Sequence, residues 1–151
     1  MLGEVLVGAL LVICTVAIHA VGATLWLNVL LIAGPRFKDR VKYGSSVLLS
    51  GATALFLLAL HVCEVVLWAE VYCILPDLEG PRTFPEALYF SFATFTTVGY
   101  GDVTIQGKWR LLSGIEAMNG ILLFGWSTAM LYALIRHHWQ IGYSSREDKG
   151  R

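Results

Sequence analysis

Apolar residues run along this chain in long blocks, and polar residues interrupt them at only a few places. Residues 5–33 contain no Asp, Glu, Lys or Arg, and only His19 among them can take a charge. A helix needs about 20 apolar residues to cross a bilayer, so this block suffices for one span. Gly34-Pro35 is its expected end, because proline disrupts a helix interior. A second block, 44–75, stops before Pro76-Asp77, and a third, 111–134, stops at Arg136, His137 and His138. The pattern predicts three transmembrane helices.

A fourth apolar stretch, 83–95, lies between the second and third blocks. Roughly 10–14 apolar residues suit a re-entrant segment better than a span. Its start reads as a helix N-terminus: Thr83 precedes Pro85, tolerated in a first turn, and Glu86 sits near the positive end of the dipole. The next residues, Thr96-Thr97-Val98-Gly99-Tyr100-Gly101-Asp102, fit no regular element. Irregular backbone at membrane depth is tolerated only when buried in protein or lining a watery path. The chain is therefore expected to enter as a half-helix, turn within the membrane, and return to the same side as an extended segment.

Composition narrows the classes. Hydrophobic residues make up 56% and charged residues 15%, against about 25% charged in a soluble domain. Soluble enzyme, disulfide scaffold and nucleic-acid binder are all excluded. Charge placement gives orientation, since short cytoplasmic loops collect Lys and Arg. Arg36, Lys38, Arg40 and Lys42 crowd the first loop and the tail is net basic, whereas Glu70, Asp77, Glu79, Glu86 and Asp102 dominate 70–110. The N-terminus is thus expected outside and the C-terminus in the cytoplasm. Trp68 and Trp109 are expected at the outer interface and Trp139 at the inner one. The basic loop can also attract anionic lipid head groups through Arg36, Lys38, Arg40 and Lys42. Three regions follow: 1–43 with the extra helix and basic loop, 44–138 with the re-entrant unit, and a short tail, 139–151.

The chemistry lies in the re-entrant loop. A bare K⁺ needs oxygens to replace its water, and an extended segment in a membrane has carbonyls to offer. Ordinary strand geometry points successive carbonyls to opposite sides. Gly99 and Gly101 can depart from that alternation, and the Thr97 hydroxyl adds an oxygen at the inner end. One loop supplies one side of a cage, so a chain with one loop requires a symmetric ring of four copies.

Thr97-Val98-Gly99-Tyr100-Gly101 is identical to the selectivity filter of the tetrameric potassium-channel pore family, which the sequence resembles over about 83–128. Pro85, Trp109-Arg110 and the Gly120-x-x-x-Phe124-Gly125 pattern belong to the same resemblance. The layout is similar to small three-span bacterial potassium channels, which places it in a bacterial plasma membrane. The resemblance implies an all-α homotetrameric membrane protein that conducts K⁺ passively. In it, the carbonyls of Thr97, Val98, Gly99 and Tyr100 and the Thr97 hydroxyl coordinate K⁺. Ile121, Phe124 and Thr128 line the cavity below, and Gly120 is the bend for opening. Where some members carry a carboxylate that bonds the filter's trailing aspartate, this chain has Ala93, and Tyr89 replaces a frequent Trp. Asp102 is accordingly expected to rely on the Tyr89 hydroxyl, with Thr96 also supporting the filter. No span carries the basic ladder of a voltage sensor.

A second group of polar residues falls inside the spans. His61 and Glu64 share a helix face by i,i+3 spacing, and Glu116 and Asn119 repeat it in the third span. Two roles stand open: an interhelical hydrogen-bonded cluster, or a pH sensor. A metal site finds no third ligand by spacing. His19 reads as a lone buried hydrogen-bonding residue. Two rival functions are a coupled K⁺ transporter, which usually fuses four degenerate loops in one chain, and an intramembrane metalloenzyme built on His19, His61 and Glu64.

Overall fold

The computed structural model describes the backbone of residues 2–37 and 43–147, and side chains within 2–32 and 47–137. Arg36, Lys38, Arg40, Lys42 and Trp139, read above as lipid and interface contacts, lie outside the described side chains. The elements in order are α1 (Leu2–Phe37), α2 (Tyr43–Ile74), the short helix α3 (Phe84–Phe95) and α4 (Arg110–Glu147), with one 3-10 turn, Gly107–Trp109, before the last. Among the described residues, three helices are long and apolar enough to cross a membrane. α3, at about 1.5 Å per residue, reaches only part of the way. The protein is an all-α membrane protein.

Two boundaries differ from the sequence reading. α1 continues through Gly34-Pro35 to Phe37. A proline removes one hydrogen bond and bends a helix, and need not end it. α4 continues past the expected end of the third span to Glu147, so much of the presumed tail is helical backbone.

Each span buries one stripe. On α1 it is Leu11, Thr15, His19 and Ala23, at intervals of one helical turn. On α2 it runs through Thr53, Leu57, His61, Glu64, Val65, Trp68, Ala69 and Tyr72, and on α4 through Leu112, Glu116, Asn119, Leu123 and Ser127. The exposed faces are Leu, Ile and Val, as a lipid-facing surface requires. The polar residues of these stripes point inward, because hydrocarbon offers a hydroxyl or carboxylate no partner. Trp68 is fully buried in the core, and its Nε1 has no hydrogen-bond partner among the described residues. Trp109 is also buried, its Nε1 donating to the Pro76 carbonyl at 2.8 Å.

Partners across the helices fix their directions. Thr15 meets Asn119 and His19 meets Ser127, so α1 and α4 run parallel. His19 meets Glu64 while Trp26 meets Thr53, so α1 and α2 run antiparallel. α3 descends between α2 and α4, burying Ala87, Phe90, Ser91 and Phe95. Its C-terminal end lies against α4 at Gly120, where an added Cβ would sit 1.9 Å from the Phe95 carbonyl oxygen. The helix is continuous there. The position is a backbone contact that only glycine permits.

Gly120→Ala is expected to lower stability by about 1–3 kcal/mol or more, the range for overpacking a tight contact. Gly51→Ala, whose Cβ meets nothing within 4 Å, is expected to be near neutral. Thermal melts of the two variants in the same detergent make the comparison.

Candidate functional site

The site grows from the start of α3. Thr83 has an extended backbone, and its hydroxyl accepts from the Glu86 amide at 3.4 Å. Glu86 Oε2 in turn accepts from the Arg82 amide at 2.8 Å, so carboxylate and hydroxyl together satisfy amides at this helix start. At the other end the chain leaves the helix without breaking contact with it. The amides of Thr96, Thr97 and Gly99 donate to the carbonyls of Phe92, Thr94 and Ala93, and the Thr96 hydroxyl donates to Phe92 at 2.6 Å.

Beyond that point φ alternates in sign. Thr97, Gly99 and Gly101 have φ of 61°, 55° and 81°, and Val98 and Tyr100 between them do not join the positive set. The glycines adopt this region freely; for Thr97 a left-handed conformation costs roughly 1–3 kcal/mol. Among the described residues, no hydrogen bond reaches the carbonyls of 97–100. Val98 and Tyr100 stand exposed at 54% and 72%, so within one chain this segment is braced on one side only.

The Tyr89 hydroxyl donates to Asp102 Oδ2 at 2.8 Å, the partner expected in the absence of a carboxylate at Ala93. Asp102 Oδ1 accepts from the Val103 amide at 3.0 Å. The Tyr89 and Tyr100 rings lie parallel with centroids 6.5 Å apart. Outside the loop, Lys108 Nζ meets Asp77 at 2.9 Å, and the Gln106 amide donates to the Glu79 carbonyl at 2.7 Å, tying the ascending and descending chains together.

Behind α3 sits Glu116. Its Oε2 accepts from the Tyr72 hydroxyl at 2.7 Å, and its Oε1 meets the Ser91 hydroxyl, which also lies 3.0 Å from the Val65 carbonyl. One carboxyl thus joins α2, α3 and α4. The sequence reading placed Glu116 with His61 and missed Tyr72 and Ser91. Ser91 was legible as the one polar residue on the face shared by Ala87 and Phe95. Asn119 is separate again, its Nδ2 donating to Thr15 at 2.8 Å.

His61 and Glu64 belong to another group, which includes His19. Glu64 Oε1 and Oε2 lie 2.8 Å from the Nδ1 atoms of His19 and His61. The two Nε2 atoms lie 3.2 and 3.0 Å from Ser127 Oγ. His19 is therefore no lone residue: it is fully buried and bonded at both nitrogens. Of the proposed cavity residues, Ile121 and Thr128 lie on the exposed face of α4. Phe124 turns inward, packing its ring 4.5 Å from His61 and 5.6 Å from Phe95. An aromatic ring at that register packs beneath α3 and stays only half-buried within this chain.

The Tyr89 hydroxyl holds the exposed Asp102 carboxyl below its ordinary range, with the Val103 amide adding to the effect. The depressed value means that the tie contributes above the carboxyl's unfolded pKa and is lost as pH falls through the folded one. Tyr89→Phe is expected to return Asp102 toward the ordinary value. Carbon-13 NMR of labelled aspartate across acid pH measures the difference.

The geometry can be set beside known proteins. Residues 46–137 match the family model described as "Ion channel", well over half of the chain. Potassium channel subfamily K member 18 of Rattus norvegicus is 32% identical over 94 residues, covering 51% of this chain and 23% of the relative. The protein of the same name from Mus musculus is likewise 32% identical over 94 residues, covering 24% of its length. This chain therefore spans about a quarter of the curated relatives it matches. No solved structure gives a significant match. With three membrane-length helices, a re-entrant half-helix and a matched segment that holds both α3 and the loop after it, the chain belongs to the ion-channel family.

Proposed function

We propose that four copies of this chain surround an axial path and conduct K⁺ selectively and passively, with residues 97–101 as the filter. The observation that carries the reading is the alternation of φ at 97, 99 and 101 beside carbonyls that no donor takes. Alternating left- and right-handed residues turn successive carbonyls toward one side. A single face of oxygens is what a dehydrated cation needs, and fourfold repetition closes it into a cage. The curated relatives are named as potassium channels. The exposed Val98 and Tyr100, together with Met118 and Leu122 on α4, supply apolar surface for neighbouring copies. Thr97, Val98, Gly99 and Tyr100 hold the ion; Tyr89, Thr96 and Asp102 keep the filter on the pore helix. Ile121 and Thr128 face the cavity. The N-terminus lies outside, so the filter's Asp102 end opens outward and the cavity faces the cytoplasm.

Gly99→Ala is expected to abolish K⁺ conduction, since alanine resists the required backbone, and Tyr100→Asp to relax K⁺ over Na⁺ selectivity. Single-channel reversal potentials in mixed salt decide it; equal wild-type permeability to the two ions overturns the reading. Native mass spectrometry in detergent is expected to give four chains per particle.

Voltage is expected to act weakly. Each charge crossing the field contributes about 2.3 kcal/mol per 100 mV, and neither 5–33 nor 44–75 contains Lys or Arg. A gating charge of many elementary units per particle would contradict this.

Glu116 braces the pore helix. Glu116→Gln can still accept from Tyr72 and can donate to the Ser91 hydroxyl, and is expected to gate as wild type between about pH 5 and 8, whereas Glu116→Leu strands the Tyr72 hydroxyl and weakens the assembly. A flattened pH response in Glu116→Gln, with selectivity intact, points instead to a proton sensor.

A further inference from the structure

We propose that His19, His61 and Glu64 form a binding site for a divalent transition-metal ion of the zinc class, one per chain, at the junction of α1, α2 and α4. All three residues are buried, and one donor atom from each lies within 4.8 Å of the others. Two imidazoles and a carboxylate are a familiar donor set for this class of ion, whose bonds of about 2.0–2.2 Å put neighbouring donors roughly 3.3 Å apart. The Nδ1 atoms stand 2.8 Å from the two carboxylate oxygens, so each of these pairs widens by about half an ångström to take the ion.

The ring has four polar contacts: Glu64 to each Nδ1, and Ser127 to each Nε2. An ionised carboxylate, two neutral imidazoles and one hydroxyl bring three hydrogens between them. A proton on one imidazole supplies the fourth; an ion seated between the two Nδ1 atoms and the carboxylate is the other way to meet all four contacts. Both imidazoles then carry their hydrogen on Nε2, and Ser127 Oγ, with two lone pairs, accepts from both. That is the outer-shell arrangement that fixes tautomer and ring orientation in metal-bound histidines. The rings are already held nearly parallel, 25° apart with centroids at 5.2 Å, and Phe124 packs against one and Trp126 against the other. The site is distinct from the K⁺ path, because its donors are nitrogen and carboxylate and face the interior of one chain.

The experiment uses the whole channel, purified in detergent from cells grown with added zinc, then dialysed against a chelator. Wild type is expected to retain about one zinc per chain, and protein from cobalt-supplemented cells to show the intense visible bands of four-coordinate Co²⁺. His19→Gln and His61→Gln keep polar side chains and are expected to lose both signals while remaining assembled. Metal-loaded wild type is also expected to melt several degrees above protein from metal-depleted cells, and the double glutamine variant to show no such difference. Wild type that retains no more metal than the double variant, or a Co²⁺ spectrum unchanged by the substitutions, overturns the site. K⁺ flux is measured on the same samples, so loss of the metal site and loss of the channel reading are told apart.

Discussion

Inside a bilayer a polar group without a partner in the protein is costly, and that constraint organises most of this molecule, with Trp68 Nε1 and Asn119 Oδ1 left unpartnered among the described residues. Each span carries a buried polar stripe that meets polar residues of a neighbouring helix. Thr15 takes Asn119, Glu116 takes Tyr72 and Ser91, and His19, His61, Glu64 and Ser127 close a ring. Each such bond in a membrane is worth only about 0.6–2 kcal/mol. Their larger effect is on register. A helix shifted by one turn would leave several of these groups in hydrocarbon at once, so the bonds select one alignment among many that packing alone would allow.

The same constraint explains why the strained segment is where it is. Thr97 is held at positive φ by its neighbours, since its own amide and those of Thr96 and Gly99 are anchored to the last turn of the pore helix. Beyond Gly101 the Tyr89–Asp102 bond fastens the other end. Between these ties, no hydrogen bond among the described residues reaches the carbonyls of 97–100. Carbonyls without a donor are costly away from water, and the dehydrated cation proposed above is a partner suited to that need. The close approach of Gly120 to the Phe95 carbonyl extends the bracing from the pore helix to α4.

The sequence made the architecture legible because span length, charge placement and the Gly99–Gly101 spacing are local signals. The Tyr89–Asp102 bond was also within reach, since the missing carboxylate at Ala93 left one plausible donor nearby. What stayed hidden was rotation about the helix axes. Trp68 was assigned to an interface from its distance along the helix, but its azimuth places it in the core. Phe124 was assigned to the cavity by pattern, and its azimuth turns it to His61 and Phe95. His19 looked solitary because its partners are on other helices, 45 and 108 residues away. A cue was nonetheless present: Thr15 and His19 are one turn apart, the polar stripe of a helix whose other faces are apolar.

That stripe bears on what α1 is for. The match to the ion-channel family covers 46–137 and leaves α1 outside it. Yet Asn119, Ser127 and Glu64 all lie within the matched segment, and each bonds a residue of α1. Removing α1 would turn a carboxylate, an amide and a hydroxyl toward lipid, where an ionised side chain costs several kcal/mol. Gly8 and Gly22 add a second constraint, since a Cβ at either would press on Ile115 or Leu60 at 2.6 Å. Small residues let α1 approach closely, and the polar stripe requires it to. The first helix is therefore a third wall of the pore unit, to which α2 and α4 have become chemically committed. Any movement of α4 that opens the path must either carry α1 with it or break the contacts at Asn119 and Ser127.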